Sequence, residues 1–177
     1  MPIDPVAQSE TPPWRKIFDL FENDDGFLPD FFVDDLTSDQ VVTVYDWVMS
    51  QCKASENATA WHITAQKDLP IGAIHEPARA YVAGEIESFR HGLVGLSIDG
   101  IELPYLTICV EGRECMSFDY RKGPEWNAHA ITALLEMFAR IHELAPNARI
   151  WHTEVGCGHR PTSHFAEALL QFEVERR

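Results

Sequence analysis

An Asp-Gly dipeptide between two apolar runs narrows the folds open to this chain more than any other feature. Residues 93–98 and 101–110 flank Asp99-Gly100, and Asp-Gly suits the two-residue hairpin turn, whose central residues both need positive φ. The pair reads as antiparallel strands joined by a tight turn. Glu111-Gly112-Arg113-Glu114 is a second turn signal leading into residues 115–120, which extends the hairpin into a meander. Pro104 requires an edge position or a bulge in the middle strand. Short strands are also expected over 61–65, over 81–89 and over 148–155, where Ile150 and His152 oppose Trp151 and Thr153.

Helical spacing accounts for much of the rest. Thr37-Ser38-Asp39-Gln40 has the spacing of a capping box, and Val41, Tyr45, Val48, Met49 and Cys52 follow on one face, with Asp39, Thr43, Asp46 and Ser50 opposite. Gly123-Pro124 opens a long helix that Pro146-Asn147 stops, and Ser163 can cap a last one carrying Phe165, Leu169 and Phe172. Trp14, Ile17, Phe18 and Phe21 fit a short helix ended by Asp24-Asp25-Gly26. Pro29 favours an extended segment or an edge strand over 27–35. The expected fold is α+β: an antiparallel meander sheet of roughly four to six strands flanked by about three main helices near 38–52, 125–144 and 163–174. Residues 1–13, with Pro2, Pro5, Pro12 and Pro13, read as a flexible lead-in, and 14–177 as a single domain of ordinary size.

Charge bears on partners. The 177 residues carry 28 Asp and Glu against 14 Lys and Arg, a formal net charge of -14. Affinity for phosphates comes mainly from bases, so direct nucleic-acid binding is not expected. From Ile17 to Cys52 there are nine carboxylates (Asp19, Glu22, Asp24, Asp25, Asp30, Asp34, Asp35, Asp39 and Asp46) and no Lys or Arg. Caps and turns account for some of them, since Asp39 suits a helix start and Asp24-Asp25 a turn. They do not account for the missing bases. A one-sign surface steers basic protein surfaces toward the molecule. The opening residues have neither a basic n-region nor an apolar core, and no apolar run reaches spanning length, so neither export nor membrane insertion is expected. Cys52, Cys109, Cys115 and Cys157 lack a C-x-x-C pair, which suits reduced thiols in a cytoplasmic protein.

One cluster could carry chemistry. His152 and Glu154 would share a strand face, and Cys157, His159 and His164 could close around Zn²⁺ from the following loop, giving a metal-dependent enzyme as the alternative function. The spacing matches neither H-E-x-x-H nor paired C-x-x-C. H-x-E without P-C-x-x-C departs from the zinc deaminases. Glu85, Glu87 and Glu102 could group for Mg²⁺, as could the solvent face of any antiparallel sheet. Phosphate-binding loops and the G-x-S-x-G nucleophile turn are missing from the sequence. No catalytic residue and no cofactor is expected.

Asp24-Asp25-Gly26-Phe27-Leu28-Pro29-Asp30, the capped helix with Tyr45-Asp46-Trp47, Phe89-Arg90-His91-Gly92, Asp99-Gly100-Ile101-Glu102-Leu103-Pro104 and Asp119-Tyr120-Arg121-Lys122-Gly123-Pro124-Glu125-Trp126 form a recognisable set. Together they resemble immunity proteins of bacterial polymorphic toxin systems. The resemblance spans most of residues 20–155 and is one of general pattern. It implies a small cytoplasmic protein that binds and blocks a toxin and has no chemistry of its own. A toxin that acts on nucleic acid presents a basic cleft, which an acidic partner can plug. The residues expected to bind it are Asp24, Asp25, Asp30, Asp34, Asp35 and Asp46, with Phe31 or Phe32 as the buried anchor.

Overall fold

The computed structural model describes residues 11–154 and 160–177. Most of the expected lead-in, together with Cys157 and His159, therefore lies outside the described residues. In chain order the helices are α1 (Pro13–Lys16), α2 (Asp19–Glu22), α3 (Ser38–Ser50), α4 (Pro77–Ala83), α5 (Ala128–Leu144) and α6 (Ser163–Glu175). The strands are β1 (Asp30–Asp34), β2 (Ala54–Ser55), β3 (Thr59–His62), β4 (Lys67–Pro70), β5 (Phe89–Val94), β6 (Ser97–Ile98), β7 (Ile101–Glu102), β8 (Leu106–Val110), β9 (Met116–Tyr120) and β10 (Arg149–Thr153). Six of them form one sheet in the order β10-β1-β9-β8-β5-β2, antiparallel at every junction. The fold is α+β.

Local sequence explains the secure elements. The Thr37 hydroxyl accepts from the Gln40 N–H at 3.2 Å while the Gln40 side chain accepts from the Thr37 N–H at 2.8 Å, so two orphan donors of the α3 N-terminus are satisfied reciprocally. Asn127 caps α5 by accepting from the N–H groups of His129 and Ala130. At the Asp99-Gly100 turn both residues have positive φ, 48° and 82°, as the two-residue hairpin demands.

That hairpin is smaller than expected. It joins only β6 and β7, a two-residue ribbon, and the sheet itself pairs β5 with β8 around it. Three other expectations are corrected. Residues 81–89 are not a strand: Pro77 at the start and Gly84 in the left-handed conformation at the end delimit helix α4, so Glu85 and Glu87 share no sheet face with Glu102, whose carboxylate meets Lys53 at 3.0 Å. β1 is not an edge strand, because Pro29 stands just before it and leaves every N–H of the strand free to pair with β9 or β10. The first expected helix is interrupted at Ile17 and Phe18 into α1 and α2.

Register divides the sheet into two faces. One inner row runs His152, Phe31, Phe118, Ile108, His91 across β10, β1, β9, β8 and β5. All five are buried, and helices cover them: Phe138 of α5 meets Phe31 and Phe118, Phe165 of α6 meets Phe31, and Tyr45 of α3 meets His91. Such aromatic contacts at 5–6 Å add to area burial.

Candidate protein-binding face

The next register row reads Trp151, Phe32, Ser117, Cys109, Arg90, and the one beyond it Thr153, Asp30, Asp119, Thr107, Gly92. Because side chains alternate, these rows occupy the outer face of the sheet. Arg90 is exposed there and Phe32, Trp151 and Cys109 are half-buried. Asp119 lies beneath Arg90, whose guanidinium donates to it at 2.8 Å, and Ser117 donates to Glu111 at 3.0 Å. Tyr105 lies across Gly92 and donates to Glu56 at 2.6 Å.

At the β10 edge the face becomes aromatic. Phe32 and Trp151, paired in register, stack with centroids 4.6 Å apart and planes 19° apart. The Trp151 indole N–H donates to the Asp34 carboxylate at 2.7 Å, and Arg149 donates to the same oxygen at 3.0 Å while its guanidinium lies 5.5 Å from the Trp151 ring centre.

The loop before β1 meets the segment that follows β9. Asp24 accepts from Arg121 at 2.7 Å and from the Gly26 N–H at 3.0 Å; the Arg121 hydrogen bond, then the backbone one, holds its carboxyl below the usual range. The Phe27 N–H does the same for Asp25, helped by Lys122. Lys122 is buried and its ammonium stands 3.4 Å from both Asp25 and Glu154, so its charge is matched rather than isolated.

The expected binding residues thus divide. Asp30, Phe32 and Asp34 alternate on the outer face of β1, Asp24 and Asp25 lie in the loop before it, and exposed Asp35 stands just past its end. Phe31 is corrected: it is fully buried, ringed by Phe21, Tyr120, Phe138, His152 and Phe165, and reaches no surface. Asp46 is separate too. It lies on α3 beside Glu76 and Arg79 near α4, and burial, then Glu76, raises its pKa. The base-free window is also not base-free in space, since Arg121, Lys122 and Arg149 meet Asp24, Asp25 and Asp34, and His164 meets Asp19 at 3.2 Å. Arg121 and Lys122 come from 97 residues away and Arg149 from 115; only the indole opposite Phe32 had a signal, the alternation of Trp151 against His152.

The metal candidate changes character. His152 is fully buried, and both ring nitrogens are engaged, Nε2 with the Tyr120 hydroxyl at 3.1 Å and Nδ1 with the Thr162 hydroxyl at 2.9 Å. Because Tyr120 donates to the Leu20 carbonyl, Nε2–H donates to Tyr120 and Nδ1 accepts from Thr162. Burial lowers its pKa to about 3, so the ring is neutral. His91 has the opposite tautomer: Nδ1–H faces the Gly92 carbonyl and Nε2 accepts from Tyr45, with burial again lowering the pKa. Glu154 meets Lys122 and His164 meets Asp19. Among the described residues no group of three or more His, Cys, Asp or Glu side chains could hold a metal ion, and no helix among them is long and apolar enough to cross a membrane.

The sequence matches no family model and no curated protein. Among solved structures, similarity is found to a chain from the crystal structure of the toxic C-terminal tip of CdiA from Pseudomonas aeruginosa in complex with immune protein. The identity is 9%, the match covers 73% of this chain and 87% of that one, and the TM-score is 0.49.

Proposed function

We propose that this chain is a bacterial immunity protein of the cytoplasm that binds and neutralises one toxin protein, using the outer face of its sheet and the acidic loop beside it. The partner presents a basic surface, as a toxin acting on nucleic acid does, and the protein needs neither cofactor nor catalytic residue to block it. The observation that carries this reading is the placement of Asp30 and Asp34 on the same outer face as the half-buried Phe32–Trp151 stack, with Asp24 and Asp25 in the loop that leads into that strand. Interfaces of this kind combine a desolvated aromatic centre with a charged rim. The net charge of -14 supports rapid, steered association with a cation-rich partner and disfavours nucleic acid itself.

The test pairs this protein with the product of the gene directly upstream. Cells carrying that gene should survive only when this chain is co-expressed. The association rate should fall at least about tenfold between roughly 50 and 500 mM salt. Replacing Asp24, Asp25, Asp30 and Asp34 together by Asn should slow association by a similar factor, and an unchanged rate would remove the acidic face from the mechanism.

A further inference from the structure

The arrangement at the β10 edge has the parts of an arginine receptor. A guanidinium is bound best by a carboxylate in its plane and an indole against its face, and Asp34 and Trp151 supply both. The internal Arg149 already occupies that position, 3.0 Å from the Asp34 carboxylate and 5.5 Å from the Trp151 ring centre. We propose that Asp34, Trp151 and Phe32 form the subsite that accepts an arginine side chain of the protein partner, with Arg149 as its exchangeable stand-in. This rests on the immunity reading and names the chemistry of its central contact.

Exposure shows which member of the pair is fixed. The Arg149 side chain is 61% exposed and that of Asp34 only 23%, and the carboxylate has a second donor in the Trp151 N–H at 2.7 Å. An exposed ion pair contributes little to stability, so the guanidinium can swing into solvent while its receptor keeps its shape. Stacking on Phe32 fixes the indole plane. Among the described contacts of this face, Asp34, Asp119 and Glu111 stand against Arg90 and Arg149, a balance that favours a cation. The other acid–base contacts nearby differ: Lys122 is buried between its two carboxylates, and the described hydrogen bonds of Asp24 come from Arg121 and the Gly26 N–H, with no indole N–H among them.

The probe is an oligoarginine amide, titrated at low salt against the intact protein with tryptophan fluorescence as readout. Arg149→Ala vacates the subsite and should tighten binding about threefold to tenfold, whereas Arg79→Ala, the same charge change on α4, should tighten it less than twofold. Asp34→Asn should weaken binding about threefold or more, against little change for Asp99→Asn. Trp151→Phe keeps a ring on Phe32 but loses the indole N–H, and should weaken binding and remove most of the fluorescence change. Equal effects of Arg149→Ala and Arg79→Ala, or of Asp34→Asn and Asp99→Asn, would overturn the proposal. So would a dimer in sedimentation equilibrium that Trp151→Ala dissociates, since the platform would then serve a second copy. The rescue of toxin-bearing cells is read separately: rescue without the oligoarginine pattern sinks the subsite alone, and failed rescue by the wild-type chain sinks the immunity reading.

Discussion

Phe31 and Phe32 are neighbours in sequence, identical in chemistry, and opposite in fate. Phe31 is enclosed by rings from five other elements on the helix-covered side of the sheet, while Phe32 shares a half-buried stack with Trp151 on the opposite side. The contrast extends over both faces. The inner one buries two neutral histidines with both ring nitrogens satisfied, and the outer one keeps its charges matched yet within reach of water. A sheet of this kind separates the work of staying folded from the work of binding, because each strand residue serves only one side.

The largest expected effect breaks that symmetry directly. Phe31→Ala should cost about 3–5 kcal/mol by urea denaturation, the usual price of an emptied aromatic site, and Phe32→Ala under about 1.5 kcal/mol. Comparable losses would mean that the outer face is as much core as the inner.

Acid titration sharpens the comparison next. His152 has a folded pKa near 3 against 6.5 for the free side chain, so the unfolded chain binds the extra proton between those values. Its contribution is fully present above about pH 6.5 and is lost as pH falls toward 3, at up to about 1.4 kcal/mol per pH unit. His91, also lowered, acts in the same direction. Urea midpoints of wild type at pH 7 and 5 should therefore differ more than those of His152→Gln, which is less stable at pH 7 but keeps no titrating ring. Equal slopes would show that the buried ring does not hold off its proton.

Gly92→Ala should be the mildest change. The new methyl would meet the Tyr105 ring, which is 52% exposed and free to swing outward. Losing its hydrogen bond to Glu56 should cost about 0.5–1 kcal/mol. A larger loss would mean that Tyr105 is held on the outer face as rigidly as a core residue.

Legibility followed the range of the interactions. The capping box at Thr37, the Asp99-Gly100 turn and the alternation of Ile150 and His152 against Trp151 and Thr153 were readable because each is settled within a few residues. The misreading of residues 81–89 had a local cause as well: apparent alternation competed with Pro77 and Gly84, which bracket a helical turn. The candidate site was half legible. Its acids and Phe32 stood out in the sequence, but the choice between Phe31 and Phe32 depended on which side of β1 the helices cover. The neutralising bases could not be foreseen either, since Arg121, Lys122 and Arg149 reach the acidic window only through pairings β1 makes with β9 and β10.

By itself the sequence determined an acidic α+β chain with a meander, a capped helix and a charge cluster near its start, because periodicity, caps and turns are written in adjacent residues. Only the tertiary structure decided that the cluster is neutralised in part, that His152 is a core residue rather than an available ligand, and that Asp34 and Trp151 meet around a guanidinium. Each of these depends on contacts between segments far apart in the chain, where geometry rather than spacing sets the distance.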